Sequence, residues 1–543
     1  MVFARRSTTL LAAIIASCAM VLSLTACTSD NKTVVDGQTT VTSNSAGGVA
    51  VFTPSDGITL NQQTPLNKWA KLVPDLAKAL ADAGFKKGDI DHTTSDSLAK
   101  QSRAIQDFVV DHLSNNTTDD SGIAIAPDNM TLLVAPVVEA DASTRQYGDY
   151  ISQNLSTNDA TDGEATSDGE SSEDDSSKDD SSNTESDSTA SDEQAQAVDR
   201  LVSSLKLAKE SGMHVVLLGN SIEGYKPDAF VKFSDAQTIG KLQAEKMVSK
   251  LKLDKASKDN PKYIEVLLPY TAVDEKGNAN DSTFAQEAFR GIWQVLGSYY
   301  QKGVVESPSG TLDGKSTEND WQAVAYDAAK EGSTAKVLDK RLAKTDGQST
   351  LTRIDGIITM NDYIASEVVK EFDDLGYTGS AADINPQITI SGIVGNITGK
   401  KDLSRDAVPD PIKSPENDNA NDSSSSDDDA DEDTSASDKD RDSQWPLVTG
   451  YGAYVSNIPS IVNGKQWMTG MEDRQTIATD IAQACAKLNK DEALNSMPSI
   501  RNSEVGGVKK IPTISEPLLA VSASNLKSAL IDPGYISLAD AGL

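Results

Sequence analysis

Apolar and polar positions along the first 390 residues predict strands that alternate with helices. Residues 130–138 form a continuous apolar run, typical of a strand buried on both faces, whereas residues 65–83 carry apolar side chains at helical spacing. The predicted helices are 65–83, 97–113, 195–211, 237–251, 284–302, 321–342 and 364–375, and the predicted strands are 51–52 with 58–60, 130–138, 215–218, 263–268, 304–307, 356–359 and 388–390. Two such series predict an α/β fold with two Rossmann-like lobes, each built on a parallel sheet.

The acidity of the chain is concentrated in two tracts. The formal net charge is -33, of which residues 159–193 contribute -13 and residues 416–442 contribute -10, so about -10 remains for the rest. Their Ser, Asp and Glu composition cannot bury enough apolar area to offset chain entropy, and it predicts disordered acidic insertions over 156–194 and 402–444. Clustered Lys and Arg are absent from the sequence, which argues against nucleic acid as a partner.

The first 26 residues have the order of an export signal. Arg5-Arg6 precede an uncharged, mostly apolar segment, which ends in Leu24-Thr25-Ala26-Cys27. This ending resembles a bacterial lipobox, which implies cleavage before Cys27 and attachment of acyl chains to it. The alternative is an ordinary secreted protein with an incidental cysteine. We therefore expect a signal peptide over 1–26, a flexible lipid-anchored tether over 27–50, and a location on the outer face of the cytoplasmic membrane.

The other cysteines and the histidines predict neither a disulfide nor a metal site. Cys18 would leave with the signal peptide and Cys27 would be lipidated, so only Cys485 remains in the mature chain. Cys485 lies in a helical pattern and is expected to be a small buried residue. The three histidines are isolated from one another and from any cysteine pair, and no cofactor is predicted.

Several motifs occur in an order that resembles a known family. They include Trp69 with Leu76 and Gly84 in the first helix, the segment 235–244, and the C-terminal segments 461–467, 511–517 and 530–535. In this order they resemble the periplasmic-binding-protein-like sugar-binding proteins of ABC importers, in the ribose, xylose and multiple-monosaccharide-binding group.

The resemblance implies a type I periplasmic binding fold: two lobes, three chain crossings, and a sugar held in the cleft between the lobes by hinge closure. We expect lobe 1 over 51–230, lobe 2 over 231–450, and a C-terminal segment over 451–543 that crosses the hinge and completes both lobes. The implied function is solute binding and delivery to an ABC permease, without enzymatic activity, with the lipid anchor as the sole membrane attachment. The alternative is a transport-inactive lipoprotein that acts as a sensor or cell-surface interaction protein.

The resemblance also implies ligand-binding residues, since sugar sites combine aromatic faces with polar side chains at the carboxyl ends of strands. The candidates are Trp69, Asn220, Asp235, Asp281, Trp321, Asp362, Tyr363 and Tyr451. Two of them have structural alternatives: Trp69 as a core residue and Asp362 as a plain helix N-cap.

Several positions depart from the family pattern. Gly219-Asn220 stands where Asp-Arg is usual, Ala236 offers no hydrogen bond, and Glu472 replaces a lysine. The segment 450–453 lacks the carboxylate of a Gly-Gln-Asp-Ala motif. With Tyr363, Tyr451 and Tyr454 replacing charges, we expect the pocket to take a different saccharide or a less polar solute. The strand before this motif is either 387–392 or 446–450, and the second is preferred because it runs without a gap into 461–466.

Overall fold

A computed structural model describes residues 32–35, 38–41, 46–55, 65–115, 125–138, 144–157, 184–273, 279–343, 351–381 and 445–543. The export signal, Cys27, the strand segments 58–60 and 388–390, and most of both acidic tracts lie outside the described residues. In the predicted tether, residues 32–35 and 38–41 pair as an antiparallel hairpin.

The described elements are numbered along the chain. The helices are α1 Trp69–Asp82, α2 Leu98–Asn115, α3 Thr184–Glu210, α4 Ala236–Leu251, α5 Thr283–Gln301, α6 Trp321–Val324, α7 Ser333–Leu342, α8 Asp362–Leu375, α9 Ile458–Val462 and α10 Arg474–Leu488. The strands are β1 Lys32–Val35, β2 Gln38–Val41, β3 Gly48–Pro54, β4 Ile90–Ser95, β5 Met130–Val134, β6 Asn154–Leu155, β7 His214–Leu218, β8 Ser221–Ile222, β9 Ala229–Lys232, β10 Lys262–Val266, β11 Leu268–Pro269, β12 Val305–Glu306, β13 Ala325–Tyr326, β14 Gly356–Ile358, β15 Leu447–Tyr451, β16 Met468–Met471, β17 Ile500–Val505, β18 Val508–Ser515 and β19 Leu519–Ser522. Among these helices, none is long and apolar enough to cross a membrane.

The first lobe is built on a seven-stranded sheet with the order β17-β18-β9-β7-β5-β3-β4. Its strands are parallel apart from β17, which pairs antiparallel with β18. Helices α1 and α10 cover one face and α2 and α3 the other. All five residues of β5 are buried, as its continuous apolar run predicts.

The second lobe is built on a six-stranded sheet with the order β12-β10-β14-β15-β16-β19. The strands are parallel apart from β19, which is antiparallel to β16. Helices α4 and α5 pack on one face, and α7 and α8 on the other. The preferred strand at 446–450 is confirmed, because β15 lies between β14 and β16 in the sheet.

The chain passes between the lobes three times, as the resemblance implies. It crosses between β9 and α4 near Ser234, returns between β16 and α10 near Glu472, and crosses again between β18 and β19 near Glu516. Residues 451–543 therefore contribute β16 and β19 to the second lobe, and α10, β17 and β18 to the first.

Two helix predictions differ from the structure. The single helix expected over 321–342 is wrong: α6 ends at Val324, β13 pairs with β11, and α7 begins only at Ser333, after Gly332 at φ 69°. Helix α3 begins at Thr184, inside the tract expected to be an insertion through 194. Acidic residues near its start and the Ala and Gln that follow favour a helix despite the low apolar content.

Candidate functional site

The carboxyl ends of the parallel strands in both lobes converge on a set of buried side chains. Ligands bind at this edge in open parallel sheets. The first lobe and its crossing contribute Asn67, Trp69, Tyr147, Tyr150, Asn220 and Ser234, and the second lobe and its crossing contribute Asp362, Tyr451 and Glu472. None of these side chains is more than 4% exposed.

Asp362 is fully buried and saturated by donors from its own lobe. Its Oδ1 accepts a hydrogen bond from Gln466 Nε2 at 2.7 Å, and its Oδ2 accepts from Thr469 Oγ1 at 2.8 Å and from the Tyr454 N–H at 2.9 Å. Burial raises the pKa of Asp362 to about 6, although these donors oppose the shift. In this arrangement the carboxylate holds the lobe together rather than facing an open cleft.

The helix cap beside Asp362 is Asn361. Its Oδ1 accepts a hydrogen bond from the Ile364 N–H at 2.9 Å, and Asp362 is the first helical residue of α8. The structural alternative for Asp362, a plain N-cap, is therefore wrong by one position.

The backbone around the Asp362 carboxylate is tightly constrained. A Cβ at Gly450 would lie 2.1 Å from Asp362 Oδ1, so only glycine fits there. Met360 and Ala453 adopt left-handed backbone angles, with φ of 68° and 50°. Such conformations cost about 1–3 kcal/mol each for residues other than glycine and persist where surrounding contacts impose them.

A second buried carboxyl, Glu472, lies at the chain crossings and is 1% exposed. Its Oε1 accepts a hydrogen bond from the Ser234 N–H at 2.6 Å, and its own N–H donates to Asn67 Oδ1 at 3.4 Å. The hydroxyls of Ser234 and Tyr451 hydrogen-bond to each other. Burial raises the pKa of Glu472 to about 7. We call Asn67, Ser234, Tyr451 and Glu472 the hinge cluster.

Aromatic side chains from a loop after β5 also enter this region. Tyr150 stacks on Phe233 with ring centroids 4.7 Å apart and meets the edge of Trp69 at 5.0 Å, within the core of the first lobe. Tyr147 instead lies 4.7 Å from Phe284 and 6.2 Å from Tyr451, within a hydrophobic cluster of the second lobe.

Two further predicted residues have their polar groups engaged by the protein itself. Asn220 Nδ2 donates to the Pro136 carbonyl at 2.9 Å, and its Oδ1 accepts from the Gln153 N–H at 2.9 Å. Asp235 caps α4 by accepting from the Thr238 N–H and pairs with Lys232 at 2.8 Å. Although burial opposes it, the donors Lys232 and Thr238 hold the pKa of Asp235 below its usual value.

Three predicted residues belong to other parts of the second lobe. Trp321 packs edge-on against Tyr270 at 5.1 Å. Asp281 is exposed and accepts from the Thr283 N–H at 2.9 Å, just before α5. Tyr363 is half-buried on α8, where burial and the Glu367 carboxylate raise its pKa.

Sequence reasoning missed the polar partners that complete the site. Asn67 lies inside the predicted helix 65–83, which begins only at Trp69, so the pattern does not single it out. Ser234 lies between a strand and a helix, and Tyr147 lies in a loop whose composition predicts no element. In the sequence, Glu472 stands out only as a departure from the family lysine. Its position directly after the apolar strand β16 was the available signal, because side chains at that point face the cleft.

Groupings of His, Cys, Asp and Glu side chains are the usual ligands of metal ions in proteins. Within the described ranges, no three or more His, Cys, Asp or Glu side chains are grouped so as to hold a metal ion. Cys485 is buried and free, as its helical pattern predicts, and burial raises the pKa of its thiol well above the usual value.

Comparisons with known proteins find similarity among solved structures. A scan against protein-family models finds no match, and neither does a search of curated proteins. An ABC transporter solute-binding protein from Clostridium phytofermentans with bound β-D-glucose is 16% identical, with a TM-score of 0.44, and the match covers 91% of this chain and 99% of that one. A carbohydrate transporter solute-binding protein from Chloroflexus aurantiacus in complex with D-glucose is 18% identical, with a TM-score of 0.42 and coverage of 92% and 98%. An arabinose-binding protein from Geobacillus stearothermophilus is 10% identical, with a TM-score of 0.40 and coverage of 89% and 99%.

Proposed function

We propose that the protein is an extracytoplasmic solute-binding lipoprotein of an ABC transporter. It holds a sugar or related small solute between its two lobes and delivers it to the permease. One observation carries the proposal: the carboxyl ends of the strands in both sheets face a shared set of buried polar and aromatic side chains, beside the three chain crossings about which a hinge can turn. The role is one of binding rather than catalysis.

Hinge motion of the two lobes would let a permease distinguish the loaded protein from the empty one. A solute that contacts both lobes stabilises the closed form, because it loses half of its contacts when the lobes separate. The open and closed forms present different surfaces to a permease, which can then distinguish a loaded receptor from an empty one. Trp69 and Tyr451 are the aromatic residues of the predicted set nearest the crossings, and Asp362 positions the segment that carries Tyr454.

The lipid anchor at Cys27 rests on the lipobox-like ending of the export signal. Two or three acyl chains hold a protein stably at a membrane, whereas one chain binds only marginally. A Cys27→Ala variant is expected to leave the membrane fraction or to keep its signal peptide, and mass spectrometry of the wild-type protein should find acyl chains on Cys27. An unmodified Cys27 in a processed, secreted chain would contradict the anchor.

Ligand screening tests the binding function. The chain from Cys27 onward is mixed with monosaccharides, oligosaccharides, nucleosides and small aromatic alcohols, and its thermal unfolding is recorded. A ligand at one hundred times its dissociation constant stabilises the folded state by about 2.7 kcal/mol. Asp373→Ala is the control, since that side chain is exposed, is not among the candidate residues and should leave the shift unchanged. No shift across the panel, together with unchanged solute uptake in cells that lack the protein, would refute the proposal.

The second candidate is a transport-inactive lipoprotein that acts as a sensor or cell-surface interaction protein. The observation that favours it is the engagement of the expected polar groups by the protein itself, as for Asn220 and Asp362. Genes for a permease and an ATPase beside the gene for this chain favour transport. Their absence, with binding retained, favours the sensor.

A further inference from the structure

The Tyr147 side chain reaches from a segment anchored on the first lobe into the second lobe. The anchor is Asp149, which pairs with Lys68 at 2.7 Å and accepts a hydrogen bond from the Trp69 N–H at 3.2 Å. Tyr150 secures the same end by donating from its hydroxyl to the Lys68 carbonyl at 2.6 Å. Beyond this anchor, the Tyr147 ring is 1% exposed and lies in the hydrophobic cluster of the second lobe.

Gly148 makes the turn between the anchor and the ring possible. Its φ is 102°, a backbone conformation that L-residues with side chains rarely adopt. A Cβ at this position would also lie 2.5 Å from the Asn67 carbonyl oxygen. The ring is therefore directed into the cleft by a fixed turn, with its backbone held against the first lobe.

The polar end of the Tyr147 pocket is unsatisfied. The Tyr147 hydroxyl and Asn361 Nδ2 are both buried, and neither has a close hydrogen-bond partner within the part of the chain that the structure describes. Burial raises the pKa of Tyr147, and hydrogen bonding from the Asn361 side chain opposes that shift, so the two groups lie near each other. Buried polar groups in folded proteins are nearly always paired closely, so the loosely paired amide of Asn361 can bind a better-placed oxygen than the Tyr147 hydroxyl.

The walls of this pocket are apolar and aromatic. The rings of Phe284 and Tyr451 lie 4.7 Å and 6.2 Å from that of Tyr147, and the Tyr147 ring belongs to the hydrophobic cluster of the second lobe. A monosaccharide placed here would present hydroxyls to the apolar face formed by Phe284, and the polar groups beside Tyr451 already bind one another, so several of its hydroxyls would lack a partner. A flat ring with a single oxygen at the Asn361 end matches both the walls and the donor.

We propose that the Tyr147 ring occupies the solute pocket of the cleft as an intramolecular stand-in, and that the solute is a phenol-sized aromatic ring bearing one hydroxyl or carbonyl oxygen. The assignment rests on the proposed function and specifies its substrate class. Tyr147 also joins the lobes without solute, so it competes with the solute for the same space. The apparent affinity of the wild-type protein is lowered by the fraction of molecules in which the ring is in place.

The first experiment measures lobe closure without any solute. Dyes on Lys78→Cys in the first lobe and Lys336→Cys in the second report the interlobe distance by energy transfer, in a Cys27→Ser background; both lysines are exposed and Cys485 is buried. Tyr147→Ala should lengthen the mean distance, because its ring no longer bridges the lobes. Tyr147→Phe keeps the ring and should match the wild type.

Tyr225→Ala is the matched control for this distance. It removes another buried tyrosine whose hydroxyl has no close partner, but one that packs in the first lobe on the opposite face of the sheet, so the distance should stay unchanged. Tyr147→Leu serves the same measurements if the alanine variant does not fold. An unchanged distance in Tyr147→Ala or Tyr147→Leu overturns the stand-in role.

The second experiment measures calorimetric binding of phenol, 4-hydroxybenzyl alcohol, glucose and arabinose. Tyr147→Ala should bind the two aromatic alcohols at least tenfold more tightly than the wild type. Adding Asn361→Asp should reverse that gain by about tenfold, because aspartate keeps the cap acceptor for the Ile364 N–H but lacks the amide donor. Aromatic binding that is insensitive to Asn361→Asp would indicate simple filling of a cavity and overturns the assignment.

The outcomes separate the two proposals. Tight binding of glucose or arabinose, with no preference for aromatic alcohols, keeps the proposed function and overturns the substrate class. A lengthened distance in Tyr147→Ala with no binding of any solute supports the bridging by Tyr147 and counts against the proposed function.

Discussion

Asp362 and Glu472 are both buried carboxyls at the edge where the two sheets face each other, yet they hold different parts of the molecule. The three donors to the Asp362 carboxylate come from residues 454–469 of the second lobe. Glu472 instead bonds Ser234 on another crossing and Asn67 before α1. The difference shows that one carboxyl fixes the interior of a lobe, whereas the other joins segments at the crossings between the lobes.

Removal of Asp362 should have the largest effect. Asp362→Ala leaves the Gln466 amide, the Thr469 hydroxyl and the Tyr454 N–H unpaired in a buried site, and we expect a loss of about 3–5 kcal/mol in the free energy of unfolding. Denaturant unfolding measures it. Asp373→Ala, on the exposed side of the same helix, is the control and should cost less than about 1 kcal/mol. Equal losses of unfolding free energy in the two variants would contradict a stabilising role for the three hydrogen bonds to Asp362.

Glu472 should make stability depend on pH. Its pKa is about 7 in the folded protein against 4.5 ordinarily, so the folded state favours the protonated form. The stabilisation is complete below about pH 4.5 and is lost as the pH rises through about 7, by about 3 kcal/mol.

The variant that tests this dependence is Glu472→Gln, which should flatten the fall in unfolding free energy between pH 4.5 and 7. Some slope should remain, because the pKa of Asp362 is also raised, to about 6. A variant with the full wild-type slope would show that Glu472 is not the titrating group.

Loss of the Tyr451 hydroxyl should have a smaller effect. Tyr451→Phe removes the partner of the Ser234 hydroxyl, and we expect a loss of about 1–2 kcal/mol in unfolding free energy. A double-mutant cycle with Ser234→Ala should find coupling of at least about 0.5 kcal/mol. Strictly additive losses would contradict a hydrogen bond between the two hydroxyls.

The smallest effects should come from the predicted carboxylates outside both networks. Asp235→Ala removes a helix cap and should cost about 1 kcal/mol, whereas Asp281→Ala, which is exposed, should stay within about 0.5 kcal/mol. Thermal or denaturant unfolding of the two variants checks the order. A larger loss for Asp281→Ala would reveal a role in the lobe that its exposure does not suggest.

Most of the fold follows from periodicity, and most of the cleft does not. The continuous apolar run of β5 and the helical spacing in α1 are local signals. They can therefore be recognised in the sequence without knowledge of the tertiary structure. The polar edge strand β4 has no such signal, because four of its six residues are exposed. The interruption between α6 and α7 also depends on a distant partner, since β13 is a strand only by pairing with β11.

The sequence predicts where the candidate side chains lie, but not what each of them contacts. The resemblance placed Asp362, Asn220 and Tyr451 near the carboxyl ends of strands, where they lie. It could not indicate whether each side chain faces a solute or the protein, because that depends on residues hundreds of positions away. Ser234 and Glu472, which hydrogen-bond to each other, are an example.

The last crossing has a consequence for how the chain matures. Strand β18 lies inside the first sheet and β19 closes an edge of the second, yet both come from the final 36 residues of the chain. Because synthesis begins at the amino end, neither lobe is complete until these residues have been made. Until then β9 and β16 each lack a neighbour, and an unpaired strand edge is a site for aggregation. Residues 508–522 therefore set the earliest moment at which both sheets can be complete.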